Sequence, residues 1–195
     1  MDPAVIFHAT AQLPFSRSVF SFAKNCLERM PSEPLLGIPL MQLAMSRAAL
    51  HTALLECLPV KSSLSSMDLA VNGLRSANQC DFLLKGLLSR SWIRALIGQK
   101  YGAESAQADL DEAFEIAERE PMRLHMADIH LYRARLFFRE EVYPWNRNED
   151  GSPRGPADDL AAAEELIHKC GYHRRDEELA DAKKVIHRQH PRQNS

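Results

Sequence analysis

The chain has 195 residues, of which 45% are hydrophobic and 26% are charged. These values are typical of a folded globular protein, and they exclude a disordered chain, a collagen-like chain and a disulfide scaffold. The formal net charge of −2 also argues against a nucleic-acid-binding domain, because such domains are usually basic.

The first predicted element in chain order is a helix within residues 1–34. Apolar residues at helical spacing indicate it, namely Phe15, Val19, Phe22, Cys26 and Leu27. Three prolines then interrupt the chain: Pro31, Pro34 and Pro39. The segment lacks the charged start and apolar core of a secretion signal. We interpret it as a partial or capping helix, with a transit peptide as the alternative.

A second helix is predicted from Leu40 to Leu58. The surrounding apolar stretch from Leu35 to Val60 is long enough to raise the question of a membrane span, but polar and proline residues interrupt it and its apolar residues recur at the spacing of a buried helix. The interrupting residues are Pro39, Arg47, His51 and Glu56. The four cysteines of the chain form no C-x-x-C pair, which favours reduced thiols. We therefore expect a cytoplasmic protein that does not bind membranes.

Three later segments share one pattern. Each begins with Asp-Leu and continues with small and apolar residues at helical spacing, and they lie at 68–75, 109–116 and 159–166. The second segment begins 41 residues after the first, and the third begins 50 residues after the second. Such internal similarity is characteristic of repeat proteins. We expect each segment to be the second helix of a helical hairpin.

The first helices of the last two hairpins are predicted from Asp81 to Ile97 and from Met122 to Val142. Each combines an apolar face with a polar stripe. The stripe of the earlier helix holds Lys85, Ser89, Arg90 and Arg94, and that of the later one holds Asp128, Tyr132, Arg135 and Arg139.

Residues that start and stop helices support this division. Ser65 is placed to cap the helix that contains Asp68, and Gly98 and Gly171 stand where helices should end. Pro121 and Pro156 are placed as first-turn prolines.

A family resemblance rests on the middle hairpin. Ala106, Leu110 and Ala113 have a small–bulky–small spacing, and Ser91 is small in the preceding helix. The chain here resembles tetratricopeptide (TPR) repeats. The resemblance implies an all-α fold, a right-handed α-solenoid of about three helical hairpins plus a C-terminal capping helix. The implied hairpins are 35–78, 81–120 and 121–171 within a repeat domain at 35–175, and the capping helix with its tail occupies 176–195.

Four phrases are also similar to the TPR regions at the C-terminal end of large bacterial regulatory ATPases. They are GLLSRSWIRAL, ADLDEAFEIAERE, LHMADIHLYRARLFF and GYHRRDEELADA. In that setting such regions are sensors or scaffolds. Because the chain has no G-x-x-x-x-G-K-[ST] phosphate loop, we expect a stand-alone relative or a fragment.

The resemblance implies a non-catalytic protein–protein interaction module that binds a partner peptide or helix in a concave groove. The expected groove residues are polar or aromatic: Arg90, Trp92, Arg94, His130 and Arg133. Their basic character favours an acidic partner segment. The alternatives are a sensor or structural part of a larger assembly, a self-associating homo-oligomer and, more remotely, an enzyme with an unfamiliar helical active site.

The loop from Tyr143 to Gly155 is longer than a hairpin requires, and long loops are often functional. Trp145 at its base is therefore a further partner-binding candidate. In the alternative interpretation, its indole packs against the helix ends.

Two patterns resemble metal sites but are incomplete. His168, Cys170 and His173 lie close together at a helix end, yet no fourth zinc ligand has a recognisable spacing. The loop residues Asn146, Asn148, Asp150 and Gly151 copy half of a calcium loop, but Ala157 stands where a bidentate glutamate is needed. We therefore predict neither a metal nor a cofactor.

Overall fold

The computed structural model describes the backbone of residues 3–29, 35–148 and 151–189, and the side chains of 12–29, 35–148 and 151–186. Within these ranges the protein is all-helical, as predicted, with no β-strand. The helices are α1 (Pro3–Arg29), α2 (Gly37–Leu55), α3 (Ser62–Ser76), α4 (Cys80–Leu96), α5 (Ala106–Arg119), α6 (Arg123–Phe137), α7 (Pro156–Cys170) and α8 (Asp176–Gln189). A short 3-10 helix, His173–Arg175, precedes α8.

Several predicted boundaries agree with these helices. Gly171 ends α7 in the left-handed conformation with a φ of 62°, and Gly98, with a φ of 83°, follows the end of α4. Both positions favour glycine, because a side chain is strained there. Pro156 is the first residue of α7, where its missing N–H costs no helical hydrogen bond.

Four boundary expectations were wrong. Ser65 lies inside α3, which begins at Ser62 with Lys61 as its N-cap, so it caps nothing. Pro121 precedes α6 rather than lying in its first turn, since that helix begins at Arg123. Pro39 does not interrupt the chain but lies buried in the first turn of α2. Helix α6 ends at Phe137 instead of Val142. Pro31 and Pro34 lie outside the described residues.

The chain divides into two compact units, unit 1 (1–109) and unit 2 (110–195), with the division inside α5. In unit 1 consecutive helices pack on each other, α1 on α2, α2 on α3 and α3 on α4. The core of unit 1 consists of aliphatic side chains with almost no exposure: Leu50, Met67, Val71, Leu74, Leu84, Leu87 and Ile93.

In unit 2, α6, α7 and α8 enclose one apolar cluster. Helix α8 contributes Leu179, Ala182 and Ile186 to it, and its other positions are largely charged. The predicted last helix therefore exists, from Asp176 to Gln189, and it covers the apolar face of α6 and α7.

Helix α1 also exists, but its apolar residues lie on the wrong side for a simple core helix. Ser16 and Ala23 are buried, whereas Phe15 is 71% exposed and Phe22 is 67% exposed. None of the described helices is both long and apolar enough to cross a bilayer.

Candidate functional site

The two arginines of the α4 polar stripe, Arg90 and Arg94, are buried in the interior of unit 1. The Arg90 guanidinium donates to Asp109 through Nε, 3.1 Å from Oδ1, and through Nη2, 2.7 Å from the same oxygen. Arg94 Nη1 lies 2.9 Å from that oxygen as well. Asp68 accepts a further hydrogen bond from Arg90 Nη1 at 3.2 Å. One buried carboxylate of α5 thus holds both arginines of α4.

The electrostatics of this group agree with its geometry. Burial alone would lower the pKa of Arg90, but the hydrogen bonds and charges of Asp109 and Asp68 outweigh it and raise the pKa. Arg90 therefore remains charged, and both arginines form ion pairs with Asp109 inside the unit. The sequence analysis expected them on an open groove, and that expectation of exposure was wrong because each is only 7% exposed.

A second buried group surrounds Asp159 in unit 2. His130 Nδ1 lies 2.6 Å from Asp159 Oδ1, and since a carboxylate only accepts, this nitrogen carries the proton. Arg154 Nη2 donates to the same oxygen at 2.6 Å, and the Tyr143 hydroxyl donates to Oδ2. His130 is thus held by the helix that follows it and does not lie on an open face as expected.

The pKa shifts follow from these contacts. Burial alone would raise the pKa of Asp159, but the hydrogen bonds from His130 and Tyr143 and the charge of Arg154 lower it overall. Burial and the negative charge of Asp159 both raise the pKa of Tyr143. Asp159 is therefore ionised and Tyr143 protonated at neutral pH.

Arg133 and Trp145 form a stacked arrangement in the same unit. The Arg133 guanidinium carbon lies 4.4 Å from the ring centroids of both Phe114 and Trp145. The Trp145 indole Nε1–H donates to Asp111 at 2.6 Å, and its ring meets Phe137 edge-on. Arg133 is buried, which contradicts its expected exposure. Trp145 is half-buried against a helix, which agrees with the alternative interpretation of that residue.

In two of the three Asp-Leu segments, the aspartate is one of the buried carboxylates that form these contacts. Asp109 and Asp159 are the buried carboxylates just described, and the leucines that follow them, Leu110 and Leu160, are fully buried. The first segment differs, because Leu69 is 59% exposed. The sequence signal for the ion pairs was the recurring aspartate, although it did not reveal which cations would meet it.

An open groove that the sequence analysis missed lies between α1 and α2. It has a volume of about 500 Å³ and apolar walls. The described residues that line it are Gln12, Phe15, Ser16, Val19, Ala44, Arg47, Ala48 and His51. Its sequence signal was the aromatic content of α1, which served only to predict the helix.

One predicted site residue adjoins this groove. Trp92 of α4 is half-buried, and its ring meets that of His51 edge-on, with 6.0 Å between the centroids. Burial and then the nearby charge of Arg47 lower the pKa of His51. The imidazole is therefore neutral at pH 7, and Arg47 is the permanent cation among the described lining residues.

The incomplete metal patterns gain no further ligand from the part of the chain that the structure describes. Cys170 and His173 are exposed, and His173 pairs with Asp176 at 3.1 Å. Asp150 of the calcium-like loop lies outside the described residues. Within the described ranges, no group of three His, Cys, Asp or Glu side chains is arranged to hold a metal ion.

Comparisons with other proteins add no family to this description. No protein-family model, no curated protein sequence and no solved structure matches this chain. The resemblance to TPR repeats therefore stays a prediction, and the function must be argued from the chain's own geometry.

Proposed function

We propose that this chain is a non-catalytic interaction module that binds a segment of a partner protein in the groove between α1 and α2. The observation that carries the proposal is the groove itself, whose apolar lining is open to solvent and continuous with the exposed Phe15 ring. Exposed apolar surface of this kind marks binding sites more often than chance on soluble proteins.

The proposal keeps the predicted class of function and changes its location. The predicted groove residues Arg90, Arg94, His130 and Arg133 have carboxylate partners within their own units, so a new ligand would have to displace these buried contacts to reach them. Breaking such pairs is costly. The groove requires no such rearrangement, because its surface is already exposed.

The finer architecture belongs to the same proposal. The packing of each helix of unit 1 on the next is what a solenoid of TPR-like hairpins requires. The apolar cover that α8 provides in unit 2 supports its role as a capping helix. The described cysteines are free, which is consistent with our proposal of a cytoplasmic protein.

The test is to block the groove with a larger side chain and to measure whether peptides still bind. Helical peptides selected from a displayed library against the full chain would be measured by fluorescence anisotropy on the wild type and on Ala44→Phe, whose ring would occupy the groove. We expect the affinity of the selected peptides to fall at least tenfold on Ala44→Phe, because the apolar surface that they cover is taken.

Leu69→Ala is the matched control, since it alters an exposed apolar residue of the same unit on α3. It should leave binding unchanged, and circular dichroism should show equal helix content in all three proteins. Equal affinity of every selected peptide for the wild type and Ala44→Phe would refute the groove as the binding site.

A further inference from the structure

The described residues around the α1–α2 groove include a positive charge but no negative one. Helix α2, from Gly37 to Leu55, contains Arg47 and His51 but no acidic residue. Among the described residues that line the groove there is likewise no carboxylate. An occupant of this groove therefore meets the positive charge of Arg47 and no carboxylate of the described lining residues.

Arg47 differs from the neighbouring cations in its pairing. Arg17 of α1 forms an ion pair with Glu56, and Lys24 lies 4.0 Å from Glu28. Arg47 is exposed, and no carboxylate in the described part of the chain lies in ion-pair contact with it. Its guanidinium is thus available for a bidentate contact with a carboxylate of a ligand.

The shape of the surface indicates a helical occupant. Phe15, Val19, Phe22 and Cys26 follow one another on α1 at intervals of four, three and four residues, which is the spacing of the seam between two packed helices. The two phenylalanines are exposed and the other two residues are half-buried. A second helix laid along this seam would cover both rings and place one edge over Arg47.

Two other occupants fit the surface less well. In a symmetric dimer through this face, the same patch meets itself, so the two copies of Arg47 would enter one interface without an acidic residue of α2 to offset them. A flat bilayer would reach Phe15 and Phe22 but not Ala48, which is buried at the groove.

We infer that the groove binds an amphipathic helix of another protein that carries acidic residues beside its apolar face, with a carboxylate placed on Arg47. The inference rests on the proposed function, and it names the chemistry of the partner. Apolar residues of the partner cover Phe15 and Phe22, while its carboxylate neutralises the groove.

The experiment uses a displayed library of helical peptides with a fixed apolar face and randomised flanking positions, selected against the full chain. We expect Asp and Glu to exceed Lys and Arg at the flanking positions of peptides that bind the wild type. Selection against Arg47→Glu should reverse that preference, and an acidic peptide should bind this variant about tenfold more weakly, because attraction becomes repulsion.

Lys61→Glu is the control for net charge, since Lys61 is exposed on the same unit and lies outside the groove lining. It should leave both affinity and peptide preference unchanged. Peptides that bind through the groove, as judged with Ala44→Phe, but show no acidic preference would overturn this inference and leave the proposed function standing. Failure to recover any groove-dependent peptide would overturn both.

The other occupants have their own readouts. Sedimentation of the full chain should show a monomer, and a dimer that Phe15→Ser abolishes would assign the groove, which Phe15 lines, to a second copy instead. Flotation with vesicles of phosphatidylcholine and phosphatidylserine should leave the protein unbound. Vesicle binding that Phe22→Ser removes would assign the surface to a membrane and overturn the inference.

Discussion

At the scale of single residues, three aspartates with almost no solvent exposure each form buried hydrogen bonds with basic side chains. Asp109 binds the two arginines of α4, and Asp159 binds His130, Tyr143 and Arg154. Asp128 accepts from Arg175 Nε at 2.7 Å. Removing one partner of a buried pair leaves an uncompensated charge, which costs much more than losing a surface pair.

The first residue-scale prediction compares the two aspartates that bind Arg90. Asp109→Ala should lower the free energy of unfolding by about 3–5 kcal/mol, because it strands two buried guanidinium groups. Asp68→Ala should cost at most about 1 kcal/mol, because the Asp68 side chain is 37% exposed against 2% for Asp109. Urea denaturation followed by circular dichroism measures both. Equal losses would show that Asp109 is not the main anchor.

The second residue-scale prediction concerns how the free energy of unfolding depends on pH through Asp159. Its pKa in the folded protein lies below the ordinary value of 3.8, so its ionised form stabilises the fold. This contribution is fully present above pH 3.8 and is lost as the pH falls through the lower folded value. The stability advantage of the wild type over Asp159→Asn should therefore be constant above about pH 4 and shrink on acidification below it. Urea denaturation at each pH provides the measurement, and parallel curves for the two proteins would contradict the assignment.

Residue by residue, the sequence predicted the aspartates better than their partners. Helical periodicity shows that Arg90 and Arg94 share a stripe, but it carries no information about what faces that stripe. The facing residue, Asp109, belongs to the next helix of the chain. A basic stripe buried against an acidic neighbour and a basic stripe lining a groove therefore have the same sequence pattern.

At the scale of helices, the close approach of α2 and α3 explains the glycine inside α3, Gly73. A Cβ atom added at Gly73 would lie 2.7 Å from Pro39 Cβ of α2. The two helices therefore touch at a position where even alanine does not fit. Glycine is kept there despite a cost of about 1 kcal/mol in helix propensity.

Gly73→Ala should accordingly destabilise the protein by about 1–2 kcal/mol, because the steric cost exceeds the gain in propensity. The double variant Pro39→Gly/Gly73→Ala should lose less than the sum of the two single changes, since removing the proline Cβ relieves the contact. Thermal and urea unfolding would measure the four proteins of this cycle. A stabilised Gly73→Ala protein would show that α2 moves away at no cost.

The helices themselves were largely predictable, and their ends less so. Periodicity located the helices because apolar positions repeat every three to four residues over long stretches. Ser65 was misassigned because a serine inside a helix and a serine at its cap look alike without the backbone geometry. Helix α1 was placed correctly, but the same periodicity could not show that Phe15 and Phe22 face solvent.

At the scale of the whole molecule, charge is distributed unevenly along the chain. Residues 1–109 hold 10 Lys and Arg against 8 Asp and Glu, whereas residues 110–195 hold 14 against 18. The net charge of −2 therefore conceals a basic first unit and an acidic second one. A basic unit 1 agrees with an acidic partner at its groove, and it would raise the rate of encounter with such a partner.

The sequence by itself determined the all-α class, the positions of most helices and the glycine stops at Gly98 and Gly171. These features depend on local periodicity and on backbone conformations that few residues tolerate. Tertiary structure decided which polar stripes are buried and where an apolar surface stays open. That decision depends on the neighbour each face meets: Asp109 neutralises the arginines of α4, whereas no described carboxylate pairs with Arg47 beside Phe15.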